Sequence, residues 1–181
     1  MDMSAIIISL YPSAIPFTDF TVAKEWEQPA QIIKWNIPKL GPQPTLFQLE
    51  AAWPAVQLQA AQTQQRALVT SSAVTAMTGG FLSSALGSAH TYPSTLTDQH
   101  NLSGSVIASL LPNLPSGWTT SFWCMDSTGA WAFTPHTAPQ IQQAGLDGKA
   151  WVTAQQEKLA SLNAQIDAAQ TVAAVQSVLW P

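Results

Sequence analysis

Apolar positions recur every three or four residues over a long central part of the chain, which predicts a helix. We expect this helix to start at Thr45, because its hydroxyl can cap a free amide while Gln48 completes a capping box three residues later. Gly79-Gly80 should end it. Pro54 lies inside the pattern, and a proline ring clashes with the carbonyl one turn back, so we predict a kink near this residue.

Further helical segments follow downstream. LTDQHNLSGSVIASLLP predicts a helix that Asp98 caps and Pro112 stops. TPHTAPQIQQAG predicts a short helix with Thr137 as its cap and Gly145 as its terminator. The clearest amphipathic pattern is DGKAWVTAQQEKLASLNAQIDAAQ, after which Thr171 should cap a last turn or two.

Alternating apolar and polar residues predict a β-hairpin in WTTSFWCMDSTGAWAF. Phe122 and Cys124 should point to one side of its first strand and Trp123 to the other. We expect Phe122 and Cys124 to pair across the turn with the strand AWAF. MDSTG has turn chemistry, and Gly129 should supply the positive φ of the turn.

The first 44 residues are interrupted by prolines. AIIISL predicts a strand that Pro12 and Pro16 close, and PAQIIKWNI predicts a second strand. PKLGPQPT, with three prolines, is typical of a stiff extended connector. Because this region has little helical or alternating pattern with which to build a core, we expect it to become ordered on a partner.

Together these elements predict an α+β protein that is mostly helical, with a small antiparallel β-hairpin and an extended proline-rich N-terminal arm. We predict three regions along the chain. Residues 1–44 are the extended arm with short strands, residues 45–79 are the long helix kinked near Pro54, and residues 80–181 are a compact domain.

The long helix has a heptad-like seam of small and partly polar residues, which permits two interpretations. Copies of the chain could pack closely along the seam, or the same face could lie on the core of its own domain. Both remain open at the level of the sequence. The seam consists of Leu49, Trp53, Val56, Ala60, Thr63, Ala67, Thr70, Val74 and Met77.

Charge is unusually scarce in this chain. Only 9% of its residues are charged, against about 25% in an ordinary soluble domain, and residues 67–97 carry no formal charge. A monomer normally keeps itself soluble with a charged surface, so the depletion favours a protein that is packed against partners. The alternative is a monomer whose surface is polar but uncharged.

Several classes of function are disfavoured by composition. The net charge is −4 and the six Lys and Arg residues are scattered, so no basic footprint for nucleic acid is present. Cys124 is the single cysteine, which excludes an internal disulfide framework. The N-terminal MDMSAIIISLYPS does not have the pattern of a signal peptide, and residues 67–86 are too rich in Ser and Thr for a membrane span. We therefore expect synthesis in a cytoplasm and no membrane insertion.

The stretch HTYPSTLTDQHNLSG concentrates residue types that enzymes use. The chain offers a nucleophile and candidate bases, but no motif arranges them, and no glycine-rich oxyanion loop flanks the cysteine. His90 and His100 are ten residues apart across a proline, which does not seed a metal site. We therefore predict no catalytic, cofactor-binding or metal-ligating residue and no cofactor. The residues considered are Cys124, His90, His100, His136, Asp98 and Asp126.

A structural interpretation accounts for the same stretch. Tyr92-Pro93 predicts an extended approach, since the residue before proline avoids helical angles. Asp98 then caps the following helix, and Leu102 begins its apolar face. The stretch is thus predicted to be a junction from strand to helix, and Cys124 a buried, unreactive residue that is dispensable for function.

The order of several motifs resembles a known family. LGSAHTYPSTLTDQHNLSGSV, GWTTSFWCMDSTGAWAFTPHTAPQIQQAG and LNAQIDAAQTVAAVQSVLWP are similar to a domain of unknown function, DUF4376, that is common in proteins of tailed bacteriophages. With the upstream IIKWNIPKLGPQPTLFQLEAAW, the resemblance covers about residues 31–181. Its most specific positions are Tyr92, Asp98, Gln99, Asn101 and Leu102.

This resemblance implies a non-enzymatic structural protein of the virion tail, made in the host bacterial cytoplasm. Its partners would be other tail proteins, which it joins or decorates as a fibre-attachment, baseplate or adaptor protein. The scarcity of charge separately predicts a homo-oligomer with residues 1–44 buried between chains, and the resemblance favours a trimer before a hexamer because phage fibres are typically trimeric. Two alternatives stay open: a tail fibre assembly chaperone absent from the virion, and a hydrolase of the host envelope.

Overall fold

Six helices and six strands make up most of the chain in the computed structural model, which describes all residues from 1 to 181. Helix accounts for 52% of the residues and strand for 17%, in two small antiparallel sheets, so the predicted α+β class is confirmed. The elements are α1 (Met3–Leu10), β1 (Phe20–Ala23), β2 (Gln31–Trp35), α2 (Ile37–Leu40), α3 (Leu46–Thr78), β3 (Phe81–Ser83), β4 (His90–Tyr92), α4 (Leu96–Ser109), β5 (Thr119–Met125), β6 (Trp131–Thr137), α5 (Ala138–Ala168) and α6 (Val172–Gln176).

The chain divides into two compact units. The first unit contains Met1–Gln65 and Ile166–Ser177, and the second contains Arg66–Gln165 and Val178–Pro181. Each unit has its own hydrophobic cluster, so each is described by itself.

The first unit begins with a helix where the sequence pattern predicted a strand. Asp2 caps α1 by accepting a hydrogen bond from the amide of Ala5 at 3.0 Å. Met3, Ile6 and Ile7 have helical spacing, and all three are buried. The strand prediction for AIIISL was wrong because its apolar run is short enough to suit either structure, and the cap and the buried face decide for helix.

The N-terminal region is not an extended arm. Its apolar residues build a core around Phe20, which is joined by Leu49 from the long helix. The second predicted strand is confirmed as β2, which pairs antiparallel with β1. PKLGPQPT is not wholly extended, since Asn36 caps the short helix α2. The expectation that residues 1–44 cannot build a core was wrong, because the core is assembled from short segments that are distant in sequence.

Helix α3 follows the predicted bounds closely. The amide of Thr45 donates to Oε1 of Gln48 at 2.8 Å, and the amide of Gln48 donates to the Thr45 hydroxyl at 3.3 Å, which confirms the capping box. Pro54 lies inside the continuous helix. The kink at this residue stays a prediction. After Thr78 the chain leaves the helix through Gly79 and Gly80, and Gly80 has φ +109°.

The second unit contains a four-stranded antiparallel sheet in the order β3-β4-β5-β6. Strands β5 and β6 form the predicted hairpin, in which Cys124 pairs with Ala132 and Phe122 pairs with Thr134, one residue beyond AWAF. Phe122 and Cys124 are buried. Gly129 has φ +87°, as the turn chemistry predicted.

Helix α5 is continuous over 31 residues, although the sequence predicted a break at Gly145. Thr137 directly precedes the helix, and its amide and hydroxyl both donate to Oε1 of Gln140, which is one half of a capping box. A cap formed by the Thr137 hydroxyl stays a prediction. Gly145 and Gly148 do not end the helix but let it approach its neighbours. A Cβ at Gly145 would lie 2.6 Å from Val106, and one at Gly148 would lie 2.8 Å from the ring of Phe81.

The core of the second unit is aromatic. The Tyr92 ring stacks on Phe81 with centroids 5.3 Å apart and on Phe122 with centroids 6.2 Å apart. Leu102 of α4 and Ile141 of α5 belong to the same cluster. None of the helices has the length and apolar character needed to cross a bilayer.

Candidate functional site

Two of the titratable side chains in the conspicuous motifs meet inside the second unit. The hydroxyl of Tyr92 lies 2.7 Å from Nε2 of His136, and both side chains are completely buried. Nδ1 of His136 lies 2.8 Å from the carbonyl oxygen of Thr134. A carbonyl only accepts hydrogen bonds, so Nδ1 carries the proton and Nε2 accepts from the tyrosine.

The surroundings keep this pair neutral. Burial raises the pKa of Tyr92, with smaller contributions from Cys124 and Asp147. Burial also lowers the pKa of His136, because a charged imidazolium would lose its hydration. A neutral pair with every polar atom bonded and no exposed surface holds the core side chains in position.

The remaining candidates from the sequence are not brought together with this pair into a reactive group. Cys124 is 1% exposed, as predicted, and makes no hydrogen bond with Tyr92 or His136. His90 is bonded through Nδ1 to the carbonyl of Ser88. His100 lies exposed on α4. No group of three or more His, Cys, Asp or Glu side chains is placed to hold a metal ion.

Asp98 and Asp126 are occupied by local structure. Thr95, not Asp98, is the N-cap of α4, and Asp98 completes a capping box by accepting the Thr95 amide at 3.0 Å. The prediction that Asp98 is the N-cap was therefore wrong, because the helix begins three residues earlier and Asp98 lies in its first turn. Asp126 accepts hydrogen bonds in the hairpin turn, and the bond from the Thr128 hydroxyl is the main cause that lowers the pKa of Asp126.

Three aromatic side chains lie on the solvent side of the hairpin, and we call them the aromatic platform: Trp123, Trp131 and Phe133. The two indole rings are nearly parallel, at 14°, with centroids 6.1 Å apart. The Phe133 ring lies 4.9 Å from that of Trp123 and is tilted by 58°. Their exposed fractions are 40%, 41% and 69%. Such a cluster of exposed rings marks an interaction site more often than isolated apolar residues do.

A groove of about 730 Å³ lies beside this platform, between α4 and β5, with Trp123 and Phe133 in its wall. We call it the polar groove. Apart from Asp98, none of the polar side chains that line it makes a hydrogen bond within the protein. These polar side chains are those of Asp98, His100, Asn101, Ser105, Thr120 and Ser121.

A second groove, of about 610 Å³, lies between α4 and α5 and is mostly apolar. Ile107, Leu110 and Leu146 on its rim are each more than 60% exposed. Apart from Lys149, its polar side chains are bonded within the protein, for example Gln142 to Ser109 at 3.1 Å.

No sequence motif pointed to the platform or to either groove as a site. The signal available was the alternation in the hairpin, which already placed Trp123 opposite Phe122 and Cys124. An outward tryptophan followed by two more aromatic residues on the return strand indicates a surface for contact. The groove residues on α4 gave no such signal, because their meeting with β5 depends on the tertiary fold.

Comparison with known proteins gives two matches to families. A family model described as a domain of unknown function, DUF4376, matches residues 48–178, and one described as XkdW protein matches residues 3–61. Comparison with curated proteins and with solved structures gives no match. The first family model covers well over half of the chain and includes the hairpin, the platform and both grooves. The second covers the region for which the sequence analysis predicted an extended arm.

Proposed function

We propose that this chain, which belongs to the DUF4376 family, is a structural component of a bacteriophage tail. Both matching families are associated with phages, so the chain is a phage-associated protein. We propose in addition that the protein lies in the tail, where it joins or decorates other tail proteins.

The observation that supports this proposal is the surface, which combines few charges with large exposed apolar side chains. In the first unit Trp26 is 91% exposed, Phe17 79% and Phe47 78%, in a chain of which only 9% of the residues are charged. A free monomer gains solubility from surface charge and rarely exposes so many large apolar groups. A protein that is permanently packed against others in a particle gains stability from burying them.

The absence of catalysis is part of the proposal. Cys124 and His136 are buried, and Asp98 and Asp126 hold a helix cap and a turn. These contacts give each residue a structural role that needs no substrate.

Self-association is proposed along α3. Ala60, Thr63, Ala67, Thr70 and Val74 of the predicted seam are exposed in the single chain. Small exposed residues at heptad-like spacing allow helices to approach closely. A trimer is favoured over a hexamer on the expectation that phage tail fibres are trimeric. Residues 1–44 need not be buried between chains to become ordered, because they have a core of their own.

Quantitative mass spectrometry of purified phage particles tests the structural role. We expect the protein at a fixed ratio to known tail proteins, and we expect it to be missing from particles of a tail-deficient mutant, which are the control. A protein that is abundant in infected cells and missing from complete particles would contradict the proposal and indicate an assembly chaperone. Light scattering from the purified chain tests the oligomer, and a monomer at high concentration would exclude self-association.

A further inference from the structure

We propose that the aromatic platform and the polar groove together bind a neutral oligosaccharide. This inference goes beyond a structural role, and it rests on the second unit alone. It therefore does not depend on the position of the protein in a tail.

The platform provides the apolar half of such a site. The C–H faces of a pyranose ring carry a slight positive charge, and the faces of aromatic rings are negative, so the two attract as they stack. The rings of Trp123 and Trp131 are nearly parallel, and each of the two residues is about 40% exposed. Phe133, at 69% exposure, extends this surface towards the polar groove. Two successive sugar residues could therefore contact aromatic surface at once.

The polar groove provides the hydrogen-bonding half. The side chains of His100, Asn101, Ser105, Thr120 and Ser121 make no hydrogen bond within the protein, so they are free for a ligand. Hydroxyl and amide groups both donate and accept, as do the hydroxyl groups of a sugar. In the apolar groove, by contrast, Gln99, Ser103 and Gln142 are bonded within the protein. The free groups are thus concentrated beside the aromatic rings, and a few placed polar groups next to apolar surface are typical of ligand sites.

Charge decides against an anionic ligand. Nucleic acid bases also stack on aromatic rings, but a nucleic acid strand needs basic residues along its backbone. The residues that line the polar groove include neither Lys nor Arg, and they include Asp98. One carboxylate oxygen of Asp98 is used by the capping box, and the other is available to accept from a sugar hydroxyl. The site therefore fits a neutral polyhydroxylated ligand.

Titration of the full chain with maltohexaose, cellohexaose and chitohexaose, followed by tryptophan fluorescence and calorimetry, tests the inference. We expect at least one of the three to bind with a millimolar or lower Kd and to change the fluorescence. Trp131→Ala should weaken that binding about tenfold, the equivalent of one stacked ring. Trp26→Ala removes an exposed tryptophan of the first unit and is the matched control, which should bind as the parent does.

Asn101→Ala provides a second variant that leaves the hairpin intact. The Asn101 side chain is exposed and unbonded, so its loss should weaken oligosaccharide binding without lowering the thermal unfolding midpoint. Failure of all three sugars to bind the parent chain would overturn the inference. Binding of an oligothymidylate in their place would overturn it in favour of nucleic acid. Self-association that Trp131→Ala abolishes, without sugar binding, would overturn it in favour of an interface between copies.

Discussion

Tyr92 and His136, which are 44 residues apart in sequence, form a hydrogen bond of 2.7 Å inside the aromatic core of the second unit. The bond joins β4 to β6 although these strands are not neighbours in the sheet, since β5 lies between them. Because Tyr92 also stacks on Phe81 and Phe122, the bond fixes the position of the ring on which three strands pack.

Acidification should destabilise the fold through His136. Burial lowers the pKa of His136 from its ordinary value of 6.5, so the unfolded chain takes up a proton at a higher pH than the folded chain does. The contribution of His136 to the free energy of unfolding is therefore complete above pH 6.5 and is lost as the pH falls from 6.5 through the folded-state pKa. Urea unfolding at a series of pH values measures this loss. His136→Gln should flatten the curve in that window, and an unchanged slope would show that another group titrates there.

Gly148→Ala should lower the free energy of unfolding by about 1–3 kcal/mol, the usual cost of overpacking a core. The added Cβ would lie 2.8 Å from the ring of Phe81, which is itself held in the core. Gly104→Ala in α4 is the matched control, since a Cβ there meets nothing within 4 Å. The control should raise stability by up to about 1 kcal/mol, because alanine favours helix over glycine. Equal effects of the two substitutions would contradict the close packing of α5.

Thr95→Ala should cost about 1 kcal/mol of stability, because Thr95 is the N-cap of α4. Asp98→Ala should have an effect of similar size, since Asp98 accepts the Thr95 amide, and Asp98→Asn should be nearly silent because an amide oxygen also accepts. The two alanine substitutions should combine to less than their sum, as both break the same capping box. Chemical denaturation of the parent and of these four variants measures the effects. Strict additivity would show that the two residues act independently.

Gly129→Val should cost about 1 kcal/mol or more, because Gly129 has φ +87° and a β-branched residue resists this geometry. A Cβ at this position meets nothing within 4 Å, so the cost comes from the backbone alone. Gly129→Asn tests this cause, since asparagine tolerates positive φ better than other residues. The asparagine variant should retain most of the stability in thermal unfolding. A valine variant as stable as the parent would mean that the turn adopts another conformation.

Asp19→Asn should destabilise the first unit, because the hydrogen bonds to Asp19 lose their charged acceptor. The buried Asp19 carboxylate accepts from Lys39, from the amide of Ile15 at 2.9 Å and from the Asn36 side chain at 3.0 Å. The bond from Lys39 is the main cause that lowers the pKa of Asp19 from 3.8 to about 2. The contribution of Asp19 to the free energy of unfolding is therefore lost as the pH falls through that interval. Hydrogen exchange of residues 1–41 measures the effect. Glu27→Gln, on an exposed acid of the same unit, should leave the exchange unchanged.

The sequence by itself determined the features that depend on neighbours within a few residues. The capping box at Thr45, the cap at Thr171 and the turn at Gly129 are confirmed in the structure. Each is a contact between residues at most four positions apart, so its chemistry is complete within a short segment. The α+β class followed from the same local patterns.

Only the tertiary structure decided which of several local possibilities is adopted. Residues 3–10 could form a strand or a helix, and burial of Ile6 and Ile7 against a distant core selects the helix. Gly145 could end a helix, but close contact with Val106 of α4 stabilises its continuation.

The candidate site also depends on the tertiary structure. The alternation predicted that Trp123 points away from Phe122 and Cys124, but its stacking on Trp131 and the approach of Asn101 from α4 could not be inferred from either segment alone. The free energy that brings these segments together comes from burying apolar surface between residues far apart in sequence, and no short pattern records which distant residue will be the partner.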